Sequence, residues 1–216
     1  RQSKADQDRR HEGDGARATQ LRIEVGREYP LGDAFMARFK GMSRDELRAL
    51  QDERFRKIVA FAWKTPFYQR LWGARGIEPG DIGGLDDITK LPTYSKEDLM
   101  ASVEAHPPIG DFHGLDTYPA DKRPPLIFHT TSGTTGRPQP LLFGPRSREI
   151  QNVLLARNYL LQGMRREDVV HSVYGFGMVN GGHYIREAVT HYTNSLFLSA
   201  GTGIETRSVN QVDLMA

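Results

Sequence analysis

The chain has 216 residues, of which 38% are hydrophobic and 26% are charged, and it contains no cysteine. This composition is typical of a globular protein, and the length allows one large domain or two small ones. The absence of cysteine excludes a disulfide framework, cysteine-ligated zinc and a thiol nucleophile, and the small net charge of +2 does not indicate a nucleic-acid partner.

The first stretch, residues 1–20, has no apolar side chain larger than that of alanine. Charges of both signs alternate there with glycine and glutamine. Such a segment cannot offset the entropy that it loses on ordering by burying apolar surface. We therefore predict a flexible tail.

Helices are predicted in the part that follows. Ser43 with Glu46, and Ser95 with Asp98, form capping-box patterns, in which a serine hydroxyl and an acidic side chain satisfy each other's backbone N–H groups. These patterns mark two helix N-termini. The apolar residues expected on the inner face of the first of these helices are Leu47, Leu50, Ile58, Phe61 and Ala62.

The middle of the chain has a hydroxyl-rich loop, Thr130–Pro138, between two apolar runs of strand length, Leu126–His129 and Leu141–Phe143. Its glycines allow backbone N–H groups to turn inward and bind an anion. Arg137 adds a positive charge whose forked donors suit phosphate oxygens. We therefore predict a polyphosphate site and favour it over an ordinary polar turn. The residues predicted to bind the phosphates are Thr131, Ser132, Gly133, Thr134, Thr135, Gly136 and Arg137.

After this loop the pattern becomes α/β. A strand over Val169–Val173, a helix over His183–His191 and a strand over Ser195–Leu198 predict a right-handed crossover in a parallel sheet. Glycine-rich turns, 174–182 and 200–203, follow the two strands. Ligands of such sheets bind beyond the carboxyl ends of the strands, so both turns are candidate binding segments.

Several stretches resemble one family. Ser132–Pro138 resembles the phosphate-binding loop of the adenylate-forming enzymes, the superfamily of acyl-CoA synthetases, luciferases and nonribosomal adenylation domains, although that family usually has Lys where this chain has Arg137. Tyr174–Gly177, followed by Gly181-Gly182, resembles the aromatic, glycine-rich segment of phenylacetate-CoA ligases. Further stretches that resemble this family are Thr65–Tyr68, Leu91–Leu99 and Gly201–Arg207.

The resemblance runs from about residue 45 to the end and implies the fold class. That class is α/β, with an N-terminal helical region followed by part of the βαβ-type sheet of the adenylate-forming large domain. The predicted organisation is a tail (1–20), a helical N-terminal part (21–120) and the phosphate-loop and α/β part of an incomplete AMP-binding domain (121–216).

The resemblance also implies a two-step reaction with ATP, Mg²⁺ and coenzyme A. A carboxylate attacks the α-phosphorus of ATP to give an acyl-adenylate and pyrophosphate, and the thiolate of coenzyme A then displaces AMP. Little covalent chemistry falls to the protein, which positions the acid and stabilises phosphate charge. Arg137 and Thr134 are the residues predicted to stabilise that charge.

The resembled family also implies an aromatic carboxylic acid as the substrate, held by the glycine-rich turn. Val179 stands where phenylacetate ligases tend to have a larger aromatic residue, which leaves room for a ring substituent. His183 either hydrogen-bonds the substrate or faces solvent, and His129 is expected to be a core histidine. The residues predicted to line the acid pocket are Tyr174, Phe176, Val179, Gly181, Gly182 and His183.

Family members are considerably longer, and their later motifs, a magnesium-binding Glu, a ribose-binding Asp and a catalytic Lys, are not found in these 216 residues. The chain is therefore expected to be the N-terminal part of a ligase and to be inactive alone. Two alternatives stay open: a non-catalytic module that binds a nucleotide or acyl group, and an adenylating enzyme that passes the acyl group to a carrier protein. Exposed sheet edges predict a homo-oligomer or a complementing C-terminal chain.

The expected location is the cytoplasm. No apolar run approaches the length that spans a membrane, and the N-terminus lacks the apolar region of a signal peptide. Neither a membrane nor a nucleic acid is expected as a partner.

Overall fold

The computed structural model describes residues 4–133 and 136–215. The helices and strands alternate in the second half of the chain, as the α/β prediction requires. The helices are α1 (Lys4–Glu28), α2 (Gly32–Lys40), α3 (Arg44–Ala62), α4 (Pro66–Gly73), α5 (Lys96–Ala105), α6 (Pro145–Leu161), α7 (Gly181–Tyr192) and α8 (Ser208–Met215). The strands are β1 (Ile127–Thr130), β2 (Pro140–Phe143), β3 (Val169–Ser172) and β4 (Leu196–Ser199).

The chain divides into two compact units that are discontinuous in sequence. The first unit contains the chain up to Lys40, Pro125–Ser132 and the chain from Phe143 onward. The second contains Gly41–Pro124 and Gly133–Leu142. The first helices of the chain therefore group with the α/β part, whereas the sequence places them with the helical part or in a tail.

Helix α1 differs most from the sequence prediction, because residues 4–20 are helical where a flexible tail is predicted. The reason lies at the other end of the helix. Val25 is fully buried, and Arg22 forms an ion pair with Glu149 of α6 at 3.2 Å. Tertiary contacts at one end stabilise the first turns of a helix, whose formation is the step with the unfavourable free energy. Each further residue then adds a backbone hydrogen bond, so the helix can extend through a sequence that has no proline.

In the second unit, both capping boxes form as predicted. The hydroxyl of Ser43 accepts from the Glu46 N–H at the start of α3, and Ser95 and Asp98 make the same pair of bonds at the start of α5. The packing of α3 differs from the prediction, since no residue of this helix is fully buried and Ile58 is 66% exposed. Helical spacing identified an apolar face, but it does not show what covers that face.

In the first unit, β3 and β4 pair in parallel with Val169 opposite Leu196, and α7 lies between them in sequence. This is the predicted strand–helix–strand order. Fully buried side chains join α6 to α7, namely Val153, Ala156, Ala188 and Val189. Helix α7 is therefore packed on α6 within the core of this unit.

The short 3-10 helix Leu85–Lys90 precedes α5, and α8 lies near the end of the described residues. No helix in the described part of the chain has the length and the apolar character that crossing a membrane requires.

Candidate functional site

The end of β1 is joined to the glycine-rich turn by backbone pairing. Thr130 and Val179 form a parallel bridge, and the Thr130 N–H donates to the carbonyl oxygen of Met178 at 2.9 Å. Thr130 is the first residue of the hydroxyl-rich loop, and Met178 lies in the turn that is predicted to line the acid pocket. The first residue of one predicted binding segment is thus held against the other.

The hydroxyl-rich loop has a backbone that requires glycine. Gly133 has a left-handed φ of 69°, and a Cβ there would lie 2.7 Å from Pro138 Cγ and 3.0 Å from the Gly136 oxygen. The Gly136 N–H donates to the Gly133 carbonyl at 3.0 Å and closes this tight turn. Such a turn keeps side-chain bulk away from backbone N–H groups that can face an anion.

The side chains of the loop are mostly accessible. Those of Ser132 and Arg137 are exposed, and that of Thr131 is half-buried. Thr134 and Thr135, both predicted to bind phosphate, lie outside the described residues. The described part of the loop therefore has three features that suit a polyphosphate: a tight backbone turn, hydroxyl groups and the positive charge of Arg137.

The glycine-rich turn presents exposed aromatic and apolar side chains. Tyr174 is 56% exposed and Val179 is 46% exposed, and Phe176 is half-buried. The turn folds back on itself closely, because a Cβ on Gly182 would lie 2.5 Å from the Gly175 carbonyl oxygen. Gly181 lies beside the Tyr174 ring. A Cβ added at Gly181 would lie 3.1 Å from the nearest carbon of that ring.

Two histidines pack on this turn. His129 of β1 is 4% exposed, and its Nδ1 lies 3.2 Å from the Met178 oxygen. His183 of α7 has its Nε2 2.8 Å from the Gly177 oxygen, and the two rings have centroids 4.8 Å apart. Burial lowers the pKa of His129, and the nearby charge of Arg148 lowers it further, so the ring is neutral at pH 7.

A buried ionic cluster supports the turn from α6. Arg148, 4% exposed, donates Nε to Glu187 Oε2 at 2.6 Å and Nη2 to Glu187 Oε1 at 3.1 Å. Its Nη1 donates to Oδ1 of Asn180 at 2.6 Å. Asn180 is the residue that precedes α7. Asn152 also donates to Glu187. Burial raises the pKa of Glu187, but these hydrogen bonds outweigh burial and leave it below its ordinary value.

A second cluster centres on Glu149, the next residue of α6. It accepts hydrogen bonds from Arg22 at 3.2 Å, from the Tyr192 hydroxyl at 2.9 Å and from His191 at 3.2 Å. Burial raises the pKa of Glu149, but these partners outweigh burial and bring it to about 2. The charged groups of both clusters lie in helices and are paired, which is typical of structural charges. Within the first cluster, Asn152 Oδ1 is buried without a hydrogen-bond partner among the described residues.

A cavity of about 730 Å³ lies between α1, β1, α6 and α7. Its wall combines apolar residues such as Leu21 and Ile127 with Arg148 and Glu149. None of the predicted site residues that the structure describes lines this cavity. The cavity is therefore separate from the residues that were predicted to bind phosphate and acid.

The described residues contain no group of three or more His, Asp or Glu side chains placed to hold a metal ion. A magnesium ion that arrives with a nucleotide takes much of its coordination from phosphate oxygens and water, so such a group is not required for it.

Comparison with known proteins identifies the relatives of this chain. No family model matches it. It is 35% identical over 146 residues to the phenylacetate-coenzyme A ligase of Aromatoleum evansii. The match covers 66% of this chain and 31% of that protein. It is 31% identical over 142 residues to the enzyme of the same name from Thermus thermophilus. That match covers 65% of this chain and 30% of that protein.

The chain is homologous to the phenylacetate-CoA ligases.

Solved structures agree with this assignment. The open conformation of 2-hydroxyisobutyryl-CoA ligase, in complex with 2-HIB-AMP and CoA, matches with a TM-score of 0.69 and 25% identity, over 81% of this chain and 36% of that chain. The resemblance to phenylacetate-CoA ligases and the mixed α/β fold class are therefore confirmed. This chain spans just under a third of the length of the curated relatives that it matches.

For this phenylacetate-CoA ligase homologue, the binding roles of the loop and the turn stay predictions, and the sequence did not indicate the Arg148 cluster. The sequence signal for Arg148 is weak, because charged residues are common on helices and are mostly solvent-exposed. One available sign is that Arg148 and Asn152 share helical spacing with Ala156, which is buried on the same helix.

Proposed function

We propose that this chain forms the nucleotide- and acid-binding part of an enzyme that activates an aromatic carboxylic acid with ATP and then forms its coenzyme A thioester. The observation that carries the proposal is the hydrogen bond between Thr130 and Met178. It holds the start of a loop suited to phosphate beside a turn with exposed aromatic and apolar side chains. An adenylating enzyme needs these two functions next to each other, because the carboxylate must meet the α-phosphorus in line.

The loop is proposed to bind the phosphates of ATP. The Ser132 hydroxyl and the backbone N–H groups around Gly133 are suited to donate to phosphate oxygens, together with Thr131 and Thr135. Gly136 shapes the site by closing the turn onto the Gly133 carbonyl. Arg137 and Thr134 are proposed to stabilise the charge that builds up on the leaving pyrophosphate. Magnesium bound with the nucleotide would neutralise part of the same charge.

The turn is proposed to bind the acid. Tyr174 and Phe176 offer aromatic walls, Gly181 and Gly182 allow the close approach of a ring, and Val179 sets the depth of the pocket. Aromatic rings pack favourably on such walls, edge to face or offset. The relatives are named for phenylacetate and the structural neighbour for 2-hydroxyisobutyrate. The aromatic side chains of the turn favour the aromatic acid.

Coenzyme A is the proposed acyl acceptor. Relatives are named coenzyme A ligases, and the neighbouring structure holds CoA. A carrier protein as the acceptor is distinguished by a thiolation assay that offers each acceptor to the preformed acyl-adenylate.

The test is acid-dependent exchange of labelled pyrophosphate into ATP, measured with the complete natural polypeptide that carries this chain. Phenylacetate and benzoate should support exchange, and short aliphatic acids should not. Binding of ATP without exchange for any aromatic acid would refute the ligase proposal and favour a non-catalytic nucleotide-binding module.

A further inference from the structure

The two histidines beside the turn have fixed proton positions. A carbonyl oxygen can only accept, so Nδ1 of His129 carries the hydrogen that points to Met178, and Nε2 of His183 carries the hydrogen that points to Gly177. In the tautomers that these bonds select, the other nitrogens, His129 Nε2 and His183 Nδ1, carry lone pairs.

These lone pairs are not satisfied by the described part of the chain. His129 Nε2 is buried without a hydrogen-bond partner. His183 is half-buried, and no described group donates to its Nδ1. Arg148, whose charge acts on His129, donates to Glu187 and Asn180. An acceptor in a binding pocket that lacks a protein donor is suited to a ligand that brings one.

We propose that the acid bound by this turn carries a hydroxyl or amino group on its ring, and that this group donates to the imidazole of His183. This inference rests on the proposed function, since it concerns the acid of the same reaction. His129 acts as a positioning residue. It packs against the His183 ring at 4.8 Å and shares with Thr130 the carbonyl of Met178, so it fixes the turn from the strand side.

The neighbouring groups support a substituted ring. Val179, with its small side chain, is 46% exposed beside the bridge to Thr130. Phe176 meets His183 edge to face, with centroids 5.6 Å apart, and so limits how the imidazole can turn. A ring with a substituent therefore finds space at Val179 and a fixed acceptor at His183, whereas an unsubstituted ring offers that acceptor no donor.

The test compares hydroxyl and methyl groups of nearly equal size. Dissociation constants are measured by calorimetry for 2-, 3- and 4-hydroxyphenylacetate and for the three corresponding methylphenylacetates, with the complete natural polypeptide. At one ring position, the hydroxyl compound should bind about tenfold or more tightly than the methyl compound, as one hydrogen bond to an otherwise unpaired acceptor allows.

Two variants assign the effect. His183→Phe keeps a ring but removes the lone pair, so it should reduce the preference to within about twofold, while His183→Asn, whose amide oxygen replaces Nδ1 as an acceptor, should keep part of it. The ¹⁵N chemical shift of His183 Nδ1 should move on addition of the preferred hydroxyl compound and not of its methyl analogue, which reports the contact in the unmutated protein.

Equal binding of hydroxyl and methyl compounds at every position would overturn the inference, and so would a preference that survives His183→Phe. In either case exchange with phenylacetate would still support the proposed function. Failure of every aromatic acid to bind would refute both.

Discussion

The Met178 carbonyl oxygen accepts two hydrogen bonds from β1, from the Thr130 N–H at 2.9 Å and from His129 Nδ1 at 3.2 Å. One backbone group of the turn thereby fixes both the last residue of the strand and the side chain before it. Any change that moves the turn must therefore break these bonds or move the start of the hydroxyl-rich loop with it.

Gly182→Ala should distort this arrangement. The new Cβ would lie 2.5 Å from the Gly175 carbonyl oxygen, which is backbone and cannot rotate away. The turn must shift, and we expect a loss of about 1–3 kcal/mol in the free energy of unfolding, as for other overpacked sites. Urea denaturation measures the loss, and the dissociation constant of the acid should rise in parallel.

Gly177→Ala is the matched control. It lies in the same turn, but a Cβ there meets nothing within 4 Å, and its φ is outside the left-handed range. We expect stability within about 0.5 kcal/mol of the wild type. Equal destabilisation by the two substitutions would show that the Gly182 contact with Gly175 does not set the shape of the turn.

The features that sequence predicted well depend on local rules. A capping box uses residues three positions apart, so Ser43 and Ser95 mark helix starts whatever lies around them. The strand–helix–strand order follows from apolar spacing and glycine-rich turns in the same way. The phosphate-binding role of the loop, which was inferred from nine consecutive residues, stays a prediction.

The features that sequence missed depend on distant partners. Residues 4–20 are helical although their own composition favours disorder, because the contacts that hold α1 lie with α6, more than a hundred residues later. Ile58 is exposed although its spacing predicted burial. Arg148 is buried with partners from Glu187 of α7 and from Asn180, which precedes α7. These partners are about thirty or more residues away in sequence, so no local pattern predicts the contact.

Arg148→Met should be strongly destabilising. It removes the buried partner of Glu187 and leaves that half-buried carboxylate with Asn152 as a donor and with Arg186 at 3.9 Å. Breaking a buried pair from one side typically costs about 3–5 kcal/mol. Because Arg148 also holds Asn180, the KM for the acid should rise more than the KM for ATP. Both effects are measured on the same preparation, by denaturation and by steady-state kinetics.

Arg146→Met tests whether burial is the cause. Arg146 lies two positions earlier on α6 and pairs with Glu28, but its side chain is 51% exposed. A surface pair of this kind is typically worth less than about 1 kcal/mol. If Arg146→Met costs as much as Arg148→Met, the cost belongs to helix α6 in general and not to the buried cluster.

Stability should fall in acid through Glu149. Its pKa in the folded protein is about 2, below the ordinary 4.5. A lowered pKa means that its contribution to the free energy of unfolding is fully present above pH 4.5 and is lost as the pH falls toward 2. The size of the shift corresponds to about 3 kcal/mol. Denaturation curves recorded between pH 7 and pH 2 measure the slope.

Glu149→Gln should flatten that slope while lowering stability at pH 7, since the amide cannot carry the charge that Arg22 and His191 face. An unchanged pH dependence in this variant would assign acid unfolding to other carboxylates with a lowered pKa. Glu187 and Asp111, the latter paired with Arg70, are the buried candidates.

Arg137→Ala addresses the proposed chemistry directly. If the guanidinium stabilises the leaving pyrophosphate, its loss should reduce the rate of acid-dependent pyrophosphate exchange by about 10²–10³, as for other charge-stabilising donors, with little change in melting temperature because the side chain is exposed. Arg137→Lys keeps the charge but not the forked geometry, so it should retain most of the rate. Arg123→Ala, which removes an exposed arginine paired only loosely with Asp116 at 3.8 Å, is the control for loss of positive charge and should leave exchange unchanged. Equal rates for Arg137→Ala and Arg123→Ala would remove Arg137 from the proposed mechanism, whereas a selective loss that Lys restores would assign it to the phosphates.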